Sequence, residues 1–256
     1  SHMNIFKKFF LNLKELGLKR TFLKVFLYPF RKFEYLLSIR KIKNLDSKKE
    51  KFEFIYDNNV WKNSESLSGA GSTLKSTENI RYYLPRVIEE FEINNLFDAP
   101  CGDFNWMKLV LNKCDISYIG GDIVENLIND LNKQFSSSKT LFINIDITKD
   151  KLPDADLMMV RDCLFHLSNE DIFSFLNNFK KSNINYLLTT SHKTNENFKN
   201  KNIDSGDFRL LDLFKEPFAF SSNFLYQIED YIKPYPERSM FLWRREDIPV
   251  ITETEQ

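Results

Sequence analysis

The chain has 256 residues, of which 42% are hydrophobic and 28% charged, the balance of an ordinary globular protein. No apolar run approaches the roughly 18 residues that a spanning helix needs, and three cysteines without a Cys-x-x-Cys pair exclude a disulfide scaffold and a thiolate zinc site. The net charge of zero conceals a division: residues 1–51 carry +10 and the remainder −10.

Ser1-His2-Met3 reads as an expression-tag remnant. Without it, His166 and His192 are the native histidines, so no metal centre is expected. Residues 1–51 are predicted to form a basic arm of two helices. The first carries Ile5, Phe9, Leu13 and Leu16 at helical spacing, Pro29 interrupts the pattern, and the second carries Phe33, Leu36, Leu37, Ile42 and Leu45. Such an arm is expected to pack on the body or on a partner protein, with an anionic membrane surface as the alternative. Nucleic acid is not expected, because the acidic body would repel phosphate. The predicted location is the cytoplasm, with peripheral contact to the inner membrane allowed by the arm.

Residues 52–256 form the predicted catalytic domain. Trp61–Thr73 is polar and glycine-bearing, hence a loop. Thr77 is placed to cap a helix carrying Ile80, Leu84, Val87 and Ile88, although Pro85 lies inside it. Strands are predicted at Asn95–Ala99, Ser117–Gly121, Lys139–Ile145, Ala155–Val160 and Tyr186–Ser191, with helices at Asn105–Lys113, Val124–Phe135 and from Ser168 to Lys181 between them. This alternation predicts an α/β fold with a parallel sheet. Phe224–Tyr231 and Ser239–Arg245 are joined by a stretch too short for a crossover helix, so that pair should be antiparallel.

Open α/β sheets bind ligands beyond the carboxyl ends of their strands. After the first strand comes Asp98-Ala99-Pro100-Cys101-Gly102, with Trp106 just beyond. After the second come Asp122 and Ile123, an acid placed for ribose hydroxyls. After the third come Asp146 and Ile147, placed for an exocyclic amine. After the fourth come Arg161, Asp162 and His166. His192 follows the fifth. His166 is either a base or a hydrogen-bonded core histidine, and Arg161 and Asp162 either serve the site or pair with each other.

These stations resemble class I S-adenosylmethionine-dependent methyltransferases. Asp98–Gly102 is similar to the family's first motif, Gly120-Gly121-Asp122 to its second and Asn144-Ile145-Asp146 to its adenine-side motif. The resemblance implies a Rossmann-like, seven-stranded, mostly parallel sheet with an antiparallel last strand, S-adenosylmethionine as cofactor and a small-molecule acceptor. The single Gly102 departs from the two or three glycines common in the first motif. A narrower resemblance rests on Trp61…Gly69-Ala-Gly-Ser-Thr73, Asp98–Met107 and Arg161–Leu167. It points to a bacterial subgroup from capsule and surface-polysaccharide gene clusters, with enzymes proposed to make the O-methyl phosphoramidate decoration.

The cofactor residues implied are Asp98, Ala99, Pro100, Cys101, Gly102, Trp106, Asp122, Ile123, Asp146, Ile147 and Arg161. The catalytic group implied is His166, Arg161 and Asp162. The acceptor side falls to Ser72, Arg81, His192, Arg209 and Arg238, with the Gly69–Thr73 loop as a lid. A phosphoramidate oxygen, already anionic, would need those arginines. The alternative, a sugar hydroxyl, would need His166 as base. A non-catalytic cofactor-binding subunit docking a partner through its arm is the reading from another class.

Overall fold

Strand β4, Leu157–Val160, is buried at all four positions, because both faces of the sheet are covered by helices. The description rests on a computed structural model and covers residues 37–60 and 63–249. The first predicted arm helix, Pro29, Phe33, Leu36 and Trp61 lie outside the described residues. The chain divides after Asp46, and the second unit is Ser47–Gln256. In the first unit, residues 37–43 are helical.

The second unit opens on helix α1, Lys48–Asp57. Ser47 and Glu50 form a capping box: Ser47 Oγ accepts from Glu50 N at 3.1 Å, and Glu50 Oε2 from Ser47 N at 3.0 Å. The predicted boundary at residue 51 therefore falls inside a helix. Helix α2, Glu78–Glu90, accommodates Pro85. Thr77 sits at its N-cap but does not cap it, since its hydroxyl donates back to Thr73 O at 2.8 Å.

The sheet contains β1 Asn95–Asp98, β2 Ser117–Asp122, β3 Thr140–Asn144, β4, β5 Tyr186–His192, β6 Tyr226–Glu229 and β7 Arg238–Arg244. Their spatial order is β3-β2-β1-β4-β5-β7-β6. Pairing is parallel from β3 to β5, and β7 runs antiparallel to both β5 and β6. The predicted sheet is thus present, with β6 shorter than expected. Helix α3, Met107–Leu111, is five residues where the sequence suggested nine. Helices α4, Glu125–Phe135, and α5, Asn169–Lys181, stand where predicted, and Ser168 Oγ caps α5 by accepting from Asp171 N at 3.1 Å.

Alternation along β4 builds two cores. Leu157 and Met159 join Ile80, Leu84 and Leu127 on one face, whereas Met158 and Val160 join Phe175, Phe179 and Trp243 on the other. Each fully buried side chain of this size contributes about 1.5–3 kcal/mol by leaving water. The order also creates a switch point, because the chain leaves β1 toward β2 on one side and returns to β4 on the other. A crevice opens there beyond the carboxyl ends of the strands. Among the described residues, no helix is long and apolar enough to cross a membrane.

Candidate active site

The crevice has an empty volume of ≈ 1080 Å³. Beyond β1 the chain turns sharply. Cys101 N donates to Gly121 O at 2.8 Å, and Gly102 adopts φ +55° while its N–H donates to Asp122 Oδ2 at 3.2 Å. Glycine is required at this turn twice over. The backbone lies in the left-handed region, and an added Cβ would collide with the Ser68 side chain. One glycine thus suffices for the turn.

The segment before α2 is fastened to this turn. Ser66 Oγ and Leu67 N donate to Asp103 at 3.1 and 2.8 Å, and Asp103 N donates to Ser68 Oγ at 2.9 Å. Asn105 Nδ2 reaches Ser72 O at 3.1 Å, and Arg161 Nη2 reaches Gly71 O at 2.9 Å. Ser68 and Ser72 line the crevice. The stretch expected to act as a lid is a pinned wall with a short helical turn at Ala70–Ser72.

All the predicted cofactor residues line this crevice: Asp98 through Gly102, Trp106, Asp122, Ile123, Asp146, Ile147 and Arg161. Asp98 is 2% exposed and accepts from Tyr118 OH at 2.8 Å. Burial pushes its carboxyl up to about 7, against the pull of Tyr118 and Arg161. Burial likewise pushes Asp122 up to about 6, against the N–H groups of Val124 and Gly102. Asp146 behaves oppositely. Its burial favours the neutral form, but the Thr148 hydroxyl and the Lys48 ammonium together hold it below the ordinary carboxylate range. Burial raises Cys101 and takes Cys163 to about 12, so neither thiol is a nucleophile at neutral pH.

The residues following β4 form a buried charge network. Arg161 Nε and Nη2 donate to Asp230 at 2.7 and 3.1 Å, and its guanidinium lies 5.3 Å from the Trp106 ring centre. Asp162, at φ +51°, receives Arg238 Nε and Nη2 at 2.8 and 2.6 Å. Burial would raise the Asp162 carboxyl, but Arg161 and Arg238 hold it low. Arg161 and Asp162 are only 3.8 Å apart at their nearest charged atoms, yet each has a better partner elsewhere.

His166 lines the crevice. Its Nδ1 lies 2.8 Å from Asp207 O, a carbonyl that can only accept. The neutral ring therefore carries its proton on Nδ1 and is basic at Nε2. Burial lowers its pKa, against the pull of Asp207 O and Asp162, so the ring is neutral near pH 7.

Four of the five expected acceptor residues do not line the crevice. Arg81 is spent on Thr77 Oγ1 and Leu74 O at 3.2 and 2.7 Å. Arg209 is a buried strut to Leu167 O and Asn169 Oδ1, at 2.8 and 2.7 Å, and its Nε is unpartnered. Arg238 stands behind Asp162. His192 accepts from Leu211 N at 3.2 Å, and burial lowers it to about 4. Ser72 alone of the five is at the site.

Sequence reasoning missed the contribution of α1. Lys48, Phe52 and Tyr56 line the crevice, and Lys48 Nζ lies 3.1 Å from Asp146 Oδ1 and 2.9 Å from Asp171 Oδ1. The signal available was Ser47-Lys-Lys-Glu50, a capping-box pattern that marks a helix start at the supposed domain boundary.

No sequence-family profile and no curated protein matches the chain. Solved structures do. Human N-acetylserotonin methyltransferase, crystallised with S-adenosylmethionine, aligns at TM-score 0.53 and 11% identity, over 82% of this chain and 66%, just under two thirds, of that one. PigF with S-adenosylhomocysteine aligns at TM-score 0.55 and 15% identity, over 95% and 78%. An S-adenosylmethionine-dependent methyltransferase of Leishmania major aligns at 0.58 and 11%, over 80% and 89%. At such identities the likeness is one of architecture, and the architecture is the Rossmann-like fold that these methyltransferases share.

Proposed function

We propose that the protein is an S-adenosylmethionine-dependent O-methyltransferase acting on a small polar acceptor of surface-polysaccharide assembly. The observation that carries this reading is the convergence of Asp98, the Gly102 turn, Asp122 and Asp146 on one crevice at the switch point of the sheet. The crevice also suits the cofactor electrostatically. Its charged walls are the four carboxyls of Asp98, Asp122, Asp146 and Asp162 and the two cations of Lys48 and Arg161, both of which are ion-paired. Asp146 and Asp162 are themselves paired with Lys48 and Arg238, so Asp98 and Asp122 are the acids that a ligand bearing positive charge would draw into their ionised forms. Within this reading Asp122 holds ribose hydroxyls, Asp146 the amine of the base, and Asp98 the cationic end.

S-Adenosylmethionine supplies a methyl group activated by positive sulfur. The protein's part is to align the acceptor and exclude water, worth about 7–11 kcal/mol where the attack geometry is held. Of the two acceptor oxygens that the sequence suggests, the side chains favour the neutral sugar hydroxyl. The arginines expected to grip a phosphoramidate are committed: Arg161 to Asp230, Arg238 to Asp162 and Arg209 to backbone carbonyls. A hydroxyl needs a base, and His166 is a neutral imidazole of fixed tautomer at the crevice wall. Its Nε2 would take the hydroxyl proton as the acceptor oxygen receives the methyl group that S-adenosylmethionine would supply. The imidazolium then returns its proton to water.

Calorimetric titration with S-adenosylmethionine, followed by mass spectrometry of products from sugar and phosphorylated acceptors, tests both parts. Binding that weakens by about 1–3 kcal/mol in Asp122→Ala is expected, the usual loss of a charge-assisted hydrogen bond. Unchanged affinity in that variant would refute the placement of the cofactor. Methylation of phosphoramidates but not sugars would refute the choice of acceptor.

A further inference from the structure

The chain after β5 returns to the His166 turn and is clamped to it. Gly206 N donates to His166 O at 2.8 Å, Arg209 N to Phe165 O at 3.2 Å, and Ser168 N to Ser205 Oγ at 2.9 Å. His166 Nδ1–H donates to Asp207 O, and Arg209 Nη2 to Leu167 O. Such a clamp fixes the backbone on both sides of residue 208. The residue it presents is Phe208, which is 56% exposed. Its neighbours at 207 and 209 are held by backbone and side-chain bonds. Phe208 itself is left facing water, and what distinguishes it from other exposed apolar residues is its place against His166.

The surroundings of the ring are specific. Phe208 lies 5.8 Å from the His166 ring centre, 5.5 Å from Phe165 and 6.3 Å from His192. These three rings pack against it at edge-on or tilted angles. The exposed remainder stands next to His166, which itself lines the crevice. An exposed aromatic ring on a rigid support takes a ligand with a flat apolar face, and a pyranose offers one in its axial C–H bonds. Asp204 and Asp207, near it in sequence, add negative charge that disfavours a phosphate.

We propose that Phe208 is the stacking platform for a pyranose acceptor, holding the sugar ring so that one hydroxyl faces His166. The inference rests on the methyltransferase reading for its direction, and it adds the acceptor subsite and the chemical class that fills it.

Saturation-transfer NMR tests the platform without requiring turnover. The probes are methyl α-D-glucopyranoside and methyl β-D-galactopyranoside, each with the full chain. The expected result is saturation of the ring C–H protons of at least one pyranoside. That signal should fall about fivefold or more in Phe208→Ala and persist in Phe208→Tyr, because the stacking face is kept. Equal signals in wild type and Phe208→Ala would overturn the proposal, as would the absence of any pyranoside signal in the wild type. Calorimetry with S-adenosylmethionine is run on the same samples. Unchanged cofactor affinity in Phe208→Ala shows that the variant is folded. A wild type that binds pyranosides but not S-adenosylmethionine would sink the methyltransferase reading while leaving the platform standing.

Discussion

Lys48 Nζ lies 3.1 Å from Asp146 Oδ1, joining the first helix of the second unit to the acid just beyond β3 across almost a hundred residues of chain. The same ammonium reaches Asp171 on α5 and the Thr148 hydroxyl, at 2.9 and 2.6 Å. One cation therefore ties α1 to both sides of the crevice. Lys48→Met is expected to destabilise the protein by about 1–3 kcal/mol, because it leaves half-buried carboxylates without their charged donor. The urea midpoint measures this. Removing residues 1–51 should weaken S-adenosylmethionine binding, because it takes away Lys48 from the crevice wall. A truncated protein that binds the cofactor with undiminished affinity would show that α1 is only a covering.

The buried carboxyls give the site a pH signature. The folded values of Asp98 and Asp122, about 7 and about 6, lie above the unfolded value. A raised carboxyl stabilises the fold fully below the unfolded pKa of about 3.9, and that stability is lost as pH rises through the folded value. For Asp98 the loss is on the order of 4 kcal/mol at most, at about 1.4 kcal/mol per unit. The urea midpoint of the cofactor-free protein should therefore fall between pH 4 and about 7, and Asp98→Asn should remove much of the slope. A cationic ligand reverses the trend, since it favours the ionised acids. Stabilisation by saturating S-adenosylmethionine should grow over the same window, and a shift independent of pH would argue against direct contact with these acids.

His166 carries a kinetic expectation. A base must be neutral to act, so activity should be present above its folded pKa and lost as pH falls through it. Burial places that pKa below 6.5. The acid limb of the rate profile should accordingly lie below pH 6.5, and His166→Ala should lose about 10²–10⁴-fold in kcat at saturating acceptor. A profile that is flat below pH 6.5, with a variant impaired only in KM, would indicate an acceptor whose oxygen is already ionised.

Gly71 reports on the wall beside the ion pairs. A Cβ at this position would stand 2.7 Å from Asp162 Oδ2 and 3.5 Å from Arg238 Nη2. Gly71→Ala should thus push the turn off the network and loosen the Arg161 bond to Gly71 O, at a cost of about 1–3 kcal/mol for forced overpacking. The expected readouts are a lower urea midpoint and a raised KM for the acceptor, with Gly69→Ala as the comparison for general loop damage. A Gly71→Ala protein of wild-type stability would mean that the turn is free to move away.

That the expected cofactor residues would share one crevice was legible because each sits at or just after the end of a strand, where local sequence and topology coincide. Asp98 and Asp122 end β1 and β2 and Asp146 lies two residues past β3, and apolar runs alone locate those strands. The acceptor half was not legible for an equally physical reason. Arg161 pairs with Asp230 and Asp162 with Arg238, partners 69 and 76 residues away, and no spacing announces such a match. The arginines were read as free to meet a substrate because sequence shows a charge but not its counter-ion. The base and its aromatic neighbours illustrate the same limit. His166 was visible as a candidate, whereas Phe208 became meaningful only when the fold brought it 5.8 Å from that ring.

The strand order has an evolutionary consequence. Because β1, β2 and β3 lie on one side of the switch point and β4, β5, β7 and β6 on the other, Asp98, Asp122 and Asp146 are encoded in one contiguous stretch. Phe208 is encoded in another, between β5 and β6. An insertion or exchange within that later stretch can alter the ring beside His166 while the three acids of the crevice are inherited unaltered.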